Sequence, residues 1–130
     1  MSEKSAVERV RVFARWAVAL GFVAIGVAHF AAPDPFVKIV PAVLPAPLAL
    51  VYISGAAEIL GGLGLLFERT RRLAVWGLLA LLLAVFPANI NMALNEIYLE
   101  GMPKEPWMLW ARLPFQFAFA ALVWWVGIDR

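Results

Sequence analysis

The sequence predicts an all-α fold: a polytopic membrane protein built as an antiparallel bundle of four transmembrane helices. Composition is the first reason. The chain has 130 residues, 64% hydrophobic and only 15% charged, with a mean hydropathy of +0.84. A soluble domain is about half apolar and about 25% charged. Patterning is the second reason. The apolar residues fall into four runs, 12–32, 48–67, 73–94 and 107–128, each close to the roughly 20 residues that cross a hydrocarbon core. They nearly exhaust the chain, so residues 1–130 form a single membrane domain with no soluble domain left to carry a separate activity.

The distribution of charge is the third reason. Lys4, Arg9, Arg11, Arg15, Arg69, Arg71, Arg72 and Arg130 lie at the N-terminus, in the second connection and at the C-terminus; only Lys38 and Lys104 lie in the other two connections. By the positive-inside bias, both termini are expected in the cytoplasm; a bacterial inner (plasma) membrane is the expected location. The net charge of +2 is spread by loop and not over a surface fit for a duplex or strand, so no nucleic-acid partner is expected. The sequence has no cysteine, which excludes thiol–disulfide chemistry, Cys-ligated zinc and iron–sulfur ligation from this chain.

The first run opens behind a basic segment. It is long, and "HFAAPDP" is a poor small-residue cleavage site, so an uncleaved span is expected instead of a removed signal. Small residues at Ala14, Ala17, Gly21, Ala24, Ala28 and Ala31 alternate in steps of three and four, a stripe that lets membrane helices approach closely. The second run is also rich in small residues, at Ser54, Gly55, Ala57, Gly61, Gly62 and Gly64. No Gly-Lys-Ser/Thr follows, so these glycines imply packing and not a phosphate cradle. Between the two runs, "PDPFVKIVPAVLPAP" is too apolar for an ordinary loop and too proline-rich to span. Residues 33–47 are expected to lie along the outer interface, with Phe36, Ile39, Val40, Val43 and Leu44 on one face, or to lid a cavity opening to that side. The third run contains Pro87 and the fourth Pro114; each removes a helical hydrogen bond and kinks its helix. Trp76, Trp107, Trp110, Trp124 and Trp125 sit near run ends, as indoles do at membrane interfaces. Trp16, beside Arg15, marks the inner boundary of the first.

Polar residues inside the runs carry what functional information there is. A rise of about 1.5 Å per residue places Glu58 roughly 15 Å below the outer surface, Arg112 roughly 7 Å and Gln116 roughly 13 Å. Asn89 and Asn91 lie in the outer half of the third run, and His29 lies within roughly 5 Å of the outer boundary by the same arithmetic. Such groups must face one another or a wet cavity. The expected constellation is therefore Glu58 facing Arg112, with Gln116, Asn89, Asn91 and Ser54 around them and His29 bonded to the connecting segment. Three roles stay open: a scaffold that fixes helix register, a pocket for a quinone or other lipophilic small molecule, and a proton relay or transporter. A single histidine cannot ligate haem from both sides, and Asp34 and Glu58 lie at different depths, so no metal site and no cofactor are expected.

The pieces "GVAHFAAPDPFVKIVPAVLP" (26–45), "YISGAAEILGGLGLLFERTRRLA" (52–74), "FPANINMAL" (86–94) and "RLPFQ" (112–116) together resemble the DoxX family of small four-helix membrane proteins. The resemblance implies an antiparallel four-helix bundle. It also implies an accessory or quinone-handling subunit working with membrane oxidoreductase partners, because the family takes its name from a subunit associated with a terminal quinol oxidase. The expected function is an outward-facing polar pocket in an accessory or ligand-binding subunit. The alternatives are a small enzyme using Glu58 as acid or base on an apolar substrate, and a proton-coupled transporter. The lipid bilayer is the one certain partner, and the sequence allows a homo-oligomer.

Overall fold

The computed structural model describes residues 3–97 and 105–128, with side chains from Ala6 onward. Its elements are α1 (Glu3–Ala31), α2 (Asp34–Lys38), α3 (Pro47–Leu65), α4 (Glu68–Leu94) and α5 (Pro106–Gly127). Among the described residues, four helices are long and apolar enough to cross a membrane: Ala6–Ala31, Pro47–Leu65, Glu68–Leu94 and Pro106–Gly127. That is the architecture of a multi-pass membrane protein, and the expected runs agree with these helices to within a turn or two. The outer surface fits lipid. Phe13, Leu60, Leu83 and Phe115, one from each long helix, are each 69–76% exposed, and an apolar surface on every helix is foreign to a soluble monomer. Tyr98, Met102, Lys104 and Arg130 lie outside the described residues.

Helix ends follow local chemistry. Proline stands at the first position of α3 and α5, where its missing N–H would have had no helical partner and its fixed φ suits the first turn. The last carbonyls of a helix also lack partners, and basic side chains reach two of these ends. Arg71 Nε donates to the Leu65 carbonyl at 2.8 Å, closing α3. Arg15, buried on α1, donates from Nε to the Val126 carbonyl at 2.7 Å, closing α5. A cation at a helix C-terminus also meets the favourable end of the macrodipole. Thr70 Oγ1 donates to the Gly64 carbonyl at 2.8 Å across the two-residue turn between α3 and α4. α4 ends with Glu96 at φ 48° and a bond of 3.0 Å from the Ile97 N–H to the Met92 carbonyl. This is a Schellman stop, reinforced where Ile97 packs against the cluster containing Met92.

The long helices pack in the order α1 on α3, α3 on α4, α4 on α5 and α5 back on α1. The tightest seam joins α1 to α3. A Cβ built at Gly26 would lie 2.7 Å from the Gly55 carbonyl oxygen, and one built at Gly62 would lie 2.7 Å from the Ala19 carbonyl oxygen. The buried stripe of α3 is Val51, Gly55, Glu58, Gly62 and Leu65, and α1 meets it with Val18, Ala19, Phe22, Gly26 and His29. The seam is therefore not the stripe expected on α1. Of that set, Ala24 and Ala31 are exposed, and a Cβ at Gly21 would meet nothing within 4 Å. Two stripes of small residues coexist on this helix, and spacing alone does not choose between them. On α3 the expectation of packing glycines holds on two faces, since Gly61 and Gly64 turn toward Leu78 and Ala74 of α4.

Apolar packing is concentrated at the two ends. One cluster gathers Val18, Ala19, Phe22, Leu65, Ala74, Val75, Leu78, Val123 and Val126 near the Arg15 cap. A smaller one holds Met92, Ala93 and Leu109 against Ile39 and Ile97. Between them the helices leave a space.

Candidate functional site

That space is a cavity of about 780 Å³. Its walls are mostly apolar, with Phe22, Ile25, Val51, Leu81, Val85 and Phe119 among them, and its polar lining is His29, Ser54, Glu58, Asn89 and Arg112. Each long helix supplies at least one of these groups. The proline-rich connection roofs it: Phe36, Ile39, Val40, Pro41 and Leu44 all line the cavity. Val43, expected on the same face as these residues, is instead turned away and 89% exposed.

His29 and Glu58 meet where α1 crosses α3. Both are buried, and Nε2 of His29 lies 3.4 Å from Oε2 of Glu58. The other ring nitrogen, Nδ1, lies 2.8 Å from the Ile25 carbonyl oxygen. A carbonyl oxygen only accepts, so Nδ1 carries the hydrogen. With Nδ1 on the Ile25 carbonyl, Nε2 is the ring nitrogen that faces the Glu58 carboxylate. The ring of Phe36 stacks on His29 with centroids 3.9 Å apart and planes at 20°, which fixes the imidazole from the lid side.

The pairing of Glu58 with Arg112 does not occur: among the described residues no ion pair joins them, and His29 takes that place. The reason is position around the helix axis. α3 and α5 each pack on α1 and α4 and stand diagonally across the cavity, so similar depth does not bring their side chains together. Arg112 is exposed and lines the far side. His29, expected to bond to the connecting segment, instead bonds to its own helix and to Glu58, and touches that segment through the Phe36 ring.

The remaining amides build the frame. Gln116 Nε2 donates to the Leu82 carbonyl, and Gln116 Oε1 accepts from Asn89 Nδ2. This clamp ties α5 to α4 one residue before the Leu83 carbonyl, whose helical donor Pro87 removes. α4 and α5 run through Pro87 and Pro114 as single helices. Asn91 Nδ2 donates to the Ile39 carbonyl at 3.0 Å and holds the lid, while its Oδ1 accepts from Asn95 at 2.6 Å. Of the residues expected at the site, His29, Ser54, Glu58, Asn89 and Arg112 line one cavity; Gln116 and Asn91 support it from behind. Phe36 was not singled out from sequence, although an aromatic ring inside a proline-rich connector was the available signal. Arg15, counted from sequence among the basic residues of the N-terminal segment, is a buried cap.

Residues 18–127 match the family described as "Domain of unknown function (DUF8561)", and the chain belongs to that family. This overturns the DoxX resemblance, and the redox-accessory and quinone readings drawn from it lose their basis. In this chain the quoted motifs fall on a helix seam, a proline-rich connection over the cavity and a buried carboxylate. No curated protein and no solved structure matches the chain.

Proposed function

We propose that this member of a family of unknown function binds a lipophilic small molecule in the cavity beneath the lid. One observation carries the reading: four helices converge a few polar groups on a single apolar-walled space, the usual make-up of a small-molecule site. A scaffold that served only register would close around its polar cluster. Here Ser54, Glu58, Asn89 and Arg112 all retain surface on the cavity. The buried contact of His29 with Glu58 on the cavity favours a second reading, acid–base chemistry on an apolar substrate at the same place.

The proposed setting is the plasma membrane, with antiparallel helices and cytoplasmic termini. Gly26 packing on Gly55 while Ala19 packs on Gly62 supports opposite directions for α1 and α3, and Arg15 capping Val126 brings the start of α1 to the end of α5. The Lys/Arg asymmetry supports the orientation. Reporters fused after Arg72 and after Arg130 should read cytoplasmic and one at Met102 periplasmic; a periplasmic C-terminus would reverse it.

Filling the cavity tests the binding reading. Gly21 lines it and has open space at its Cβ position, so Gly21→Phe should fold, with an unchanged or higher melting temperature. Intact-mass spectrometry of protein extracted with its native lipid should then show a bound small molecule on the native chain and none on the variant. Equal occupancy of both would refute ligand binding in this cavity.

A further inference from the structure

A second space lies beside the turn that joins α3 to α4, at the end of α3 away from the lid. It is a groove of about 440 Å³ between the two helices, and no residue lines both it and the cavity. Small residues floor it, Gly61 and Gly64 from α3 with Ala74 and Gly77 from α4. Leu60, Phe67 and Leu73 also line it and are 63–76% exposed. At about 1.5 Å per residue, the stretch from Phe67 back to Ala57, both on the lining, is roughly 15 Å long. The groove therefore runs from the turn toward the middle of the membrane, the direction an acyl chain takes.

The turn at its end is basic. Arg69, Arg71 and Arg72 stand there against one carboxylate, Glu68. Arg71 is engaged in closing α3. Arg69 and Arg72 are exposed, and neither makes a side-chain hydrogen bond or ion pair with another described residue. They are three apart, hence neighbours on the helix surface, and each adjoins a residue of the groove, Thr70 or Leu73. Two guanidinium groups without a counterion thus stand beside an apolar channel. We propose that the groove binds an anionic phospholipid, with an acyl chain in the channel and the phosphate head group on Arg69 and Arg72. Charge complementarity selects this occupant. A zwitterionic lipid brings a cation of its own to the same arginines. A second copy of the chain, inserted in the same direction, brings its own arginines to this level, like charge against like. In the topology proposed above the turn faces the cytoplasmic leaflet, which carries the anionic lipids.

The experiment titrates the native protein in detergent, at low ionic strength, with dioleoyl phosphatidylglycerol or dioleoyl phosphatidylcholine. Occupancy is read by intact-complex mass spectrometry. Two arginines near the membrane surface should favour the anionic lipid by about 10-fold or more. Arg69→Gln with Arg72→Gln should bring that ratio to about 1 while the melting temperature stays near the native value. Gly77→Leu, whose side chain enters open space in the groove, should fold and lose most of the phosphatidylglycerol occupancy. Equal binding of the two lipids by the native protein would overturn the proposal. So would a preference that survives in the double arginine variant, which would place the lipid on other basic residues. Full occupancy of Gly77→Leu would remove the groove from the site. A lipid-free dimer that Gly77→Leu converts to monomer would make the groove a contact between copies instead.

Discussion

Glu58→Leu is expected to destabilise the protein by about 1–3 kcal/mol, the usual cost of leaving a buried polar partner unsatisfied. The geometry explains why relaxation would not recover it. His29 is held by Nδ1 on the Ile25 carbonyl and by the Phe36 ring stacked upon it, so Nε2 would be left facing an alkyl group in a buried seam. Replacing both residues, His29→Leu with Glu58→Leu, removes the stranded group as well, and such double replacements are often close to neutral. Melting temperatures in detergent for the two single variants and the double variant complete the cycle. Additive losses would mean that the side chains do not meet. The same cycle run on Glu58 and Arg112 should be additive.

Gly62→Val should separate α1 from α3. Its Cβ would lie 2.7 Å from the Ala19 carbonyl oxygen and 3.1 Å from both Phe22 Cβ and Val23 Cγ2. The first obstacle is backbone, which cannot rotate away, so the helices must move apart. Overpacking of this kind costs about 1–3 kcal/mol and sometimes more, and here the displaced seam also carries the His29–Glu58 pair. Gly77→Ala is the matched control. A Cβ there meets nothing within 4 Å, and removing glycine from a helix interior should gain about 0.5–1 kcal/mol. A Gly62→Val variant that melts with the native protein would show that the seam is looser than these contacts require.

The four spans were legible because a hydrocarbon core demands length and apolarity, and both are one-dimensional properties of sequence. Position along the helices was partly legible for the same reason: a fixed rise per residue placed His29, Glu58 and Asn89 in the same half of their spans, and the cavity gathers them. Direction around the helix axis was not. Glu58 and Arg112 share a depth range, yet their helices stand diagonally apart, and the pairing was assigned by charge alone. A usable signal did exist. Glu58 sits on the stripe Val51, Gly55, Gly62, Leu65, so it must face whichever helix the glycines pack on. The Phe22-x3-Gly26-x2-His29 stripe on the first helix was the matching surface, and it would have named the histidine. The lid could not be settled from sequence because its anchors, Asn91 on the Ile39 carbonyl and Phe36 on His29, are contacts between distant segments.

On the proposed reading, the space bounded by His29, Glu58, Asn89, Arg112 and the 33–47 lid is a ligand site. The most direct measurement is an experimentally determined structure of the protein extracted with its native lipid, at a resolution that shows ordered non-protein density. Ordered density between the apolar walls is expected, with the His29–Glu58 contact intact. A cavity closed by inward movement of Phe36 and Leu44, with Glu58 in direct contact with Arg112, would contradict it.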